Sequence, residues 1–247
     1  MTENELPQII RLEETDSTNR YLRERLRQSP LPELSTVIAR SQTAGRGQAE
    51  NRWESEPGQN LTFSLVLYPR FIPITEQFII SQITALSIKQ TLDLHTPDIS
   101  IKWPNDIYWQ EKKICGTLIE NDLAGAEIYL SVIGIGLNIN QEAFTSDAPN
   151  PISLRQITGE TYDLQAVFNE FMHHFRNHYL RLLQEEKQEI RQEYRAALYR
   201  GTGYHPYSDA EGTFEACIQE IEPTGHLILT TREGTKKRYA FKEVAFL

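Results

Sequence analysis

The stretch Thr36–Tyr68, TVIARSQTAGRGQAENRWESEPGQNLTFSLVLY, decides the fold. Its two ends, Thr36–Arg40 (TVIAR) and Leu61–Tyr68 (LTFSLVLY), are rich in β-branched and aromatic residues and read as strands. Between them Ser41–Trp53, SQTAGRGQAENRW, fits no amphipathic period and reads as a loop. Gly45 and Gly47 let main-chain N–H groups approach a ligand closely. Arg46 adds a planar, permanently charged fork suited to carboxylate or phosphate, and Trp53 an aromatic face. Such a loop can hold an anion and stack a flat ring. Gly-Arg-Gly alone also fits a plain surface turn.

Outward from this stretch the pattern mixes strands and helices. Ile99–Trp103, Ile114–Glu120 and Glu127–Ile135 read as strands. Ser17–Arg27 reads as a helix capped by Asp16 or Ser17, and Thr75–Leu92 as a second, with Ile79, Ile83 and Leu86 on one face. Asp163–Tyr199 is the longest helical pattern; Leu164, Phe168, Phe171, Phe175 and Leu182 form its core-facing stripe. His173 and His174 lie beside that stripe as surface or boundary residues. After Tyr199 glycines and a proline punctuate the chain. Three alternating segments follow, Thr213–Ile221, His226–Thr231 and Lys236–Phe241, with turns at Pro223-Thr-Gly and Glu233-Gly. The expected division is residues 1–199 as one unit and 200–247 as a small β-barrel packed on it.

A chain of 247 residues can bury a sizeable core. Its net charge of −9 argues against binding bulk nucleic acid, which wants a basic face. Two distant cysteines, Cys115 and Cys217, read as reduced, packed thiols. The start, MTENELPQII, has no basic segment followed by an apolar core, and no apolar run approaches the roughly 20 residues of a membrane span. A cytoplasmic protein that touches no membrane is the expectation.

Four polar clusters join the loop. Asp16-Ser-Thr-Asn19 puts short polar side chains at a helix start, as a cap or facing a polar ligand. Lys102-Trp-Pro-Asn-Asp106 leaves a strand end and suits phosphate or metal contacts as well as it suits a turn. In Lys112–Glu120, KKICGTLIE, Lys113 stands at a strand entry and Gly116 interrupts the strand, a mark of close approach by a ligand or another backbone. Gly134-Ile-Gly-Leu-Asn138 ends an apolar strand; no third glycine or helix follows, so it is no dinucleotide fingerprint, and Asn138 has the donor and acceptor that suit an adenine edge.

DSTN, SQTAGRGQ with its tryptophan, NLTFSLVL, KWPND, KKICGTLIE and GIGLNIN follow one another from Asp16 to Asn138, and the ordered set resembles biotin–protein ligase. The resemblance implies an α+β catalytic domain of class II synthetase type, a mostly antiparallel mixed sheet with packed helices, and a C-terminal SH3-like barrel. It implies activation of biotin by ATP to biotinoyl-5′-AMP, with Mg²⁺ carried mainly by the ATP phosphates, and transfer to a lysine of a biotin carboxyl carrier domain. Carried over, Lys113 and Arg46 are the catalytic cations. Ser17, Thr18, Asn19, Gln42, Gly45, Arg46, Gly47, Ser64, Lys113 and Gly116 hold biotin. Arg46, Gln48, Trp53, Asn105, Asp106 and Asn138 hold ATP or the adenylate, Trp53 stacking near adenine.

Two departures stand out. Gln48 sits where family members often have arginine, and Glu50 adds an opposing charge. Only Met1–Thr15 precede the first motif, too few for the DNA-binding domain of repressor-type members, so a monofunctional ligase without nucleic-acid binding is expected. Family members can pair sheets edge to edge, which leaves a homodimer open. Two other readings stand beside this one: a lipoate–protein ligase or octanoyl transferase of the same superfamily, and a non-catalytic biotin-binding regulator.

Overall fold

The computed structural model describes residues 6–47, 51–145 and 150–247. Strands β1 (Ile9–Thr15), β2 (Thr36–Gln42), β3 (Leu61–Leu67), β4 (Ile99–Lys102), β5 (Asp106–Trp109), β6 (Lys112–Ala124) and β7 (Glu127–Leu137) form one sheet, ordered β1-β2-β3-β7-β6-β5-β4. Only β1 and β2 run parallel; every other pair is antiparallel. The helices are α1 (Thr18–Gln28), α2 (Phe78–Asp93), α3 (Leu154–Thr158), α4 (Leu164–Leu183) and α5 (Lys187–Ala196).

Strand β3 organises the layers. It lies at the sheet centre and all seven of its residues are buried. Leu61, Phe63, Leu65 and Leu67 point to the side of α2 and α4 and join the main core. There Phe63 meets Phe168 edge-on at 5.3 Å and Phe171 at 5.2 Å. Val66 points the other way, into a smaller cluster with Leu22 of α1, Val37 and Val132. Strand side chains alternate between faces, so Thr62 and Ser64 share the α1 side with Val66. Polar residues in an otherwise apolar strand therefore sit under the face that carries the site.

The long pattern from Asp163 is two helices. Asp163 caps α4 by accepting from Gln165 N–H at 2.9 Å. The chain then breaks at Glu185, whose φ of 63° is left-handed, before α5 begins. His173 is exposed and His174 half-buried, as expected, but His178 is buried and bonds Gln90 of α2 through Nε2 at 3.1 Å. Strands β1 and β5 and helix α3 carry no clear periodic signal in the sequence.

The C-terminal part forms a second sheet from β8 (His205–Asp209), β9 (Gly212–Ile221), β10 (Leu227–Thr231), β11 (Lys236–Tyr239) and β12 (Ala245–Phe246), ordered β11-β10-β9-β8-β12. All its pairings are antiparallel. β11 and β12 are its edges, so the expected barrel is not closed by hydrogen bonds. Its apolar side chains, among them Tyr207, Ile218 and Leu229, belong to the main core. The connection is tied by backbone bonds from Ile101 N–H to Ala197 O (2.9 Å) and Tyr199 N–H to Ile101 O (2.8 Å).

Burial, and then the neighbouring Arg181, lower the imidazole of His178 to about 4. An unfolded chain protonates the same ring near pH 6.5. The folded state binds fewer protons in this window, so stability falls as pH drops from about 6.5 to 4. The urea midpoint is expected to decrease between pH 7 and pH 5. His178→Gln, which retains a polar contact to Gln90, is expected to flatten that decrease, as urea titrations at the two pH values would read.

Candidate active site

The α1-side face of the sheet is bare where β3, β7 and β6 meet. Ser64 pairs with Gly134, which pairs with Leu118; Thr62 pairs with Gly136, which pairs with Gly116. These glycines are needed for close approach. A methyl added at Gly134 would lie 2.3 Å from Asn19 Oδ1, and one at Gly136 2.3 Å from Trp53 Cε2. The strip forms the floor of a cleft of about 570 Å³.

One end of the cleft is built by the turn from β1 into α1. Ser17, Thr18 and Asn19 are buried there, although Ser17 makes no side-chain cap bond. Gln42 Oε1 accepts from Thr18 N–H at 2.8 Å. Ser64 Oγ lies 2.7 Å from Thr18 Oγ1 and donates to Asn19 Oδ1 at 2.6 Å. Asn19 Nδ2 in turn donates to Glu120 Oε2 at 2.9 Å. A continuous polar network thus runs from the end of β2 to β6. Its hydroxyl and amide groups suit a ligand end rich in both donors and acceptors.

After β2, Gly45–Gly47 pair with Asn51–Trp53. Gly47 N–H bonds Asn51 O at 2.7 Å and Trp53 N–H bonds Gly45 O at 3.0 Å, with Arg46 opposite Arg52. A methyl at Gly45 would lie 2.6 Å from Trp53 O, so this pairing needs glycine there. The indole of Trp53 lies across Gly116 and Gly136, and its Nε1 is buried with no hydrogen-bond partner among the described residues. Arg46 reaches back over the floor to Glu120 at 3.3 Å.

Beyond the indole, Lys113 Nζ pairs with Asp106 at 2.7 Å and stands 5.9 Å from the Trp53 ring. Lys102 Nζ sits 4.6 Å from the Tyr108 ring, 5.5 Å from Phe246 and 5.7 Å from Tyr199, and donates to Tyr108 Oη at 3.1 Å. Burial lowers its pKa from the ordinary lysine value. The second sheet supplies the far wall through Phe241, Lys242 and Val244–Phe246. Trp103 of the cleft wall donates from Nε1 to Gly225 O of that sheet's turn at 2.9 Å.

The structure brings most of the sequence-selected residues together. Ser17, Thr18, Asn19, Gln42, Arg46, Gly47, Trp53, Asn105, Asp106, Lys113 and Gly116 all line the cleft. Gly45 and Ser64 stand behind the lining, shaping the Gly45–Trp53 pairing and the polar network. Gln48 and Glu50 lie outside the described residues. Asn105 spends its Nδ2 on Thr117 O at 2.6 Å. Asn138, expected at an adenine edge, lies beneath this surface. It is buried, donates to Ile152 O at 3.1 Å and is not part of the cleft wall. The chain after β7 turns under the sheet here, with Asn138 N–H on Ile114 O. Lys102, Glu120 and Phe246 escaped the site assignment: the lysine's motif was singled out, but its aromatic surroundings come from distant segments.

Residues 12–138 match the biotin/lipoate A/B protein ligase family. The bifunctional ligase/repressor BirA of Bacillus subtilis is 32% identical over 216 residues, covering 85% of this chain and 65% of that protein. The biotin–[acetyl-CoA-carboxylase] ligase of Paracoccus denitrificans is 32% identical over 160 residues, covering 62% and 65%. The chain thus spans about 65% of the length of these curated relatives. Among solved structures, the biotin protein ligase of Aquifex aeolicus in complex with biotin and ATP shares the fold, with a TM-score of 0.79, 24% identity and coverage of 98% and 99% of the two chains. A family match across half of the sequence, residues 12–138, shows that this chain belongs to the biotin/lipoate A/B protein ligase family.

Proposed function

We propose that the protein activates biotin with ATP to biotinoyl-5′-AMP and transfers biotin to a lysine of a biotin carboxyl carrier domain. The observation that carries this reading is the single cleft in which a polar end, a bare glycine floor, an aromatic ring and two cations stand in line. The polar end, Ser17, Thr18, Asn19 and Gln42, suits the ureido ring. Lys113 suits the carboxylate and the α-phosphate. Arg46 and the Gly45–Gly47 backbone cover the junction, and Trp53 faces the nucleotide.

The chemistry accounts for these residue types. In the first step a carboxylate oxygen attacks the α-phosphorus of ATP, and the bond to the β-phosphate oxygen breaks, releasing pyrophosphate. Two anions must meet, so the site needs fixed cations. Lys113 supplies one, held by Asp106 at 2.7 Å. In the second step a lysine amine attacks the acyl carbon, AMP leaves, and the amine gives up a proton. Asp106, paired with Lys113, would receive that proton or face the phosphates. Mg²⁺ bound to the ATP phosphates would offset their charge. Among the described residues there is no group of three or more His, Cys, Asp or Glu that could hold a metal ion.

Residues 1–199 then act as the catalytic unit and 200–247 as a module walling the cleft. Among the described residues no helix is long and apolar enough to cross a membrane. Free Cys115 and Cys217 fit a reducing, cytoplasmic setting.

Incubation with biotin, Mg-ATP and a biotin carboxyl carrier domain is expected to yield biotinylated carrier on a streptavidin blot; absence of product overturns the reading. Lys113→Ala is expected to lower the rate about a hundredfold or more with an unchanged circular dichroism spectrum. Gly136→Ala is expected to displace the Trp53 indole and raise KM for ATP at least about tenfold, or ~1.4 kcal/mol, in the same steady-state assay.

A further inference from the structure

We propose that Glu120 is a positioning residue for Arg46: its carboxylate holds the guanidinium over the cleft floor until a ligand phosphate takes its place. The proposal rests on the adenylating activity above and adds a residue to it. Glu120 lies on β6 and meets three chain-distant groups. Oε2 accepts from Asn19 Nδ2 at 2.9 Å and faces Arg23 Nε at 3.5 Å. Oε1 meets Arg46 Nη2 at 3.3 Å. The two oxygens therefore have separate duties: one belongs to the polar network and α1, the other to Arg46.

This division makes the exchange inexpensive. When Arg46 swings to a phosphate, the Glu120 carboxylate keeps Asn19 and Arg23, so no uncompensated charge is left near the floor. Arg23 is itself anchored by Asp122, at 2.9 Å, and stays where it is. Arg46 meanwhile exchanges one anion for another. The Arg46–Glu120 pair is only partly shielded, with side chains 49% and 26% exposed, so its hold is weak. A weak hold suits a group that must let go, and the phosphate offers the same fork-shaped charge with better geometry.

Glu120→Gln tests this directly, because the amide oxygen still accepts from Asn19 while the charge that holds Arg46 is gone. Mg-ATP binding to the full chain, read by titration calorimetry, is expected to tighten about two- to fivefold, the range of an exposed pair. KM for ATP in the biotinylation assay is expected to fall by the same factor. In an Arg46→Gln background the added Glu120→Gln change is expected to alter neither quantity. ATP binding that is unchanged or weaker in Glu120→Gln overturns the proposal, and so does a gain that persists in the Arg46→Gln background. If Glu120→Gln fails to fold, Glu120→Asp replaces it. Its shorter arm loosens the same contact, and ATP binding no tighter than that of the unaltered chain overturns the proposal. No ATP binding by the unaltered chain sinks the adenylating activity itself. Binding that ignores these substitutions sinks only the role of Glu120.

Discussion

Everything in the cleft is arranged around a place where the sheet has no side chains. On the α1 face, Gly134 and Gly136 of β7 and Gly116 of β6 leave backbone at the surface, and Asn19 and Trp53 press against it more closely than any Cβ would allow. The opposite face of the same strands carries Ile133, Ile135 and Leu137 in the main core. The period-two alternation of a strand lets one segment pack tightly on one side and stay flat on the other. The floor can be thin because the layer beneath it, α2 and α4 with the Phe63 cluster, is rigidly filled.

Onto this floor the chain sets charges in pairs. Lys113 meets Asp106 and Arg46 meets Glu120. The ligands proposed for the site are anions, and a cation left alone in a partly buried cleft would carry a desolvation cost. An internal carboxylate offsets that cost while the cleft is empty. Lys102 is stabilised differently, by three aromatic faces and a phenol, two of its rings coming from segments beyond residue 190. The cleft therefore draws on the whole length of the chain.

Much of this was legible in the sequence because the local signals agreed. The β-branched run of β3, the Asp163 cap and the stripe of α4 each followed from spacing and residue type, and the glycines marked the strands that a neighbour approaches. What escaped depended on distance along the chain. β1, IIRLEET, is a half-exposed edge strand without a clean alternation, and it forms because β2 is there to pair with. The break at Glu185 has no glycine or proline to announce it. Asn138 reads as a polar strand end suited to an adenine edge, and the segment around Ile152 and Leu154 closes over it. Glu120 reads as an ordinary strand residue; only three distant partners give it a place in the site.

Trp103 serves two structures at once: its ring walls the cleft, and its N–H is tied to Gly225 in the turn between β9 and β10. Phe78 lies against the same glycine, and its backbone N–H meets Pro223 O at 3.3 Å. The two sheets thus share a seam at which Trp103 and Phe78 meet the β9–β10 turn. Cutting the chain at Tyr199 would strip Phe78 and Trp103 of these contacts and leave apolar surface beside the cleft. The C-terminal sheet is better understood as the last course of masonry in a single building than as an annexe, and shuffling it between proteins would require carrying Trp103 and Phe78 along with it.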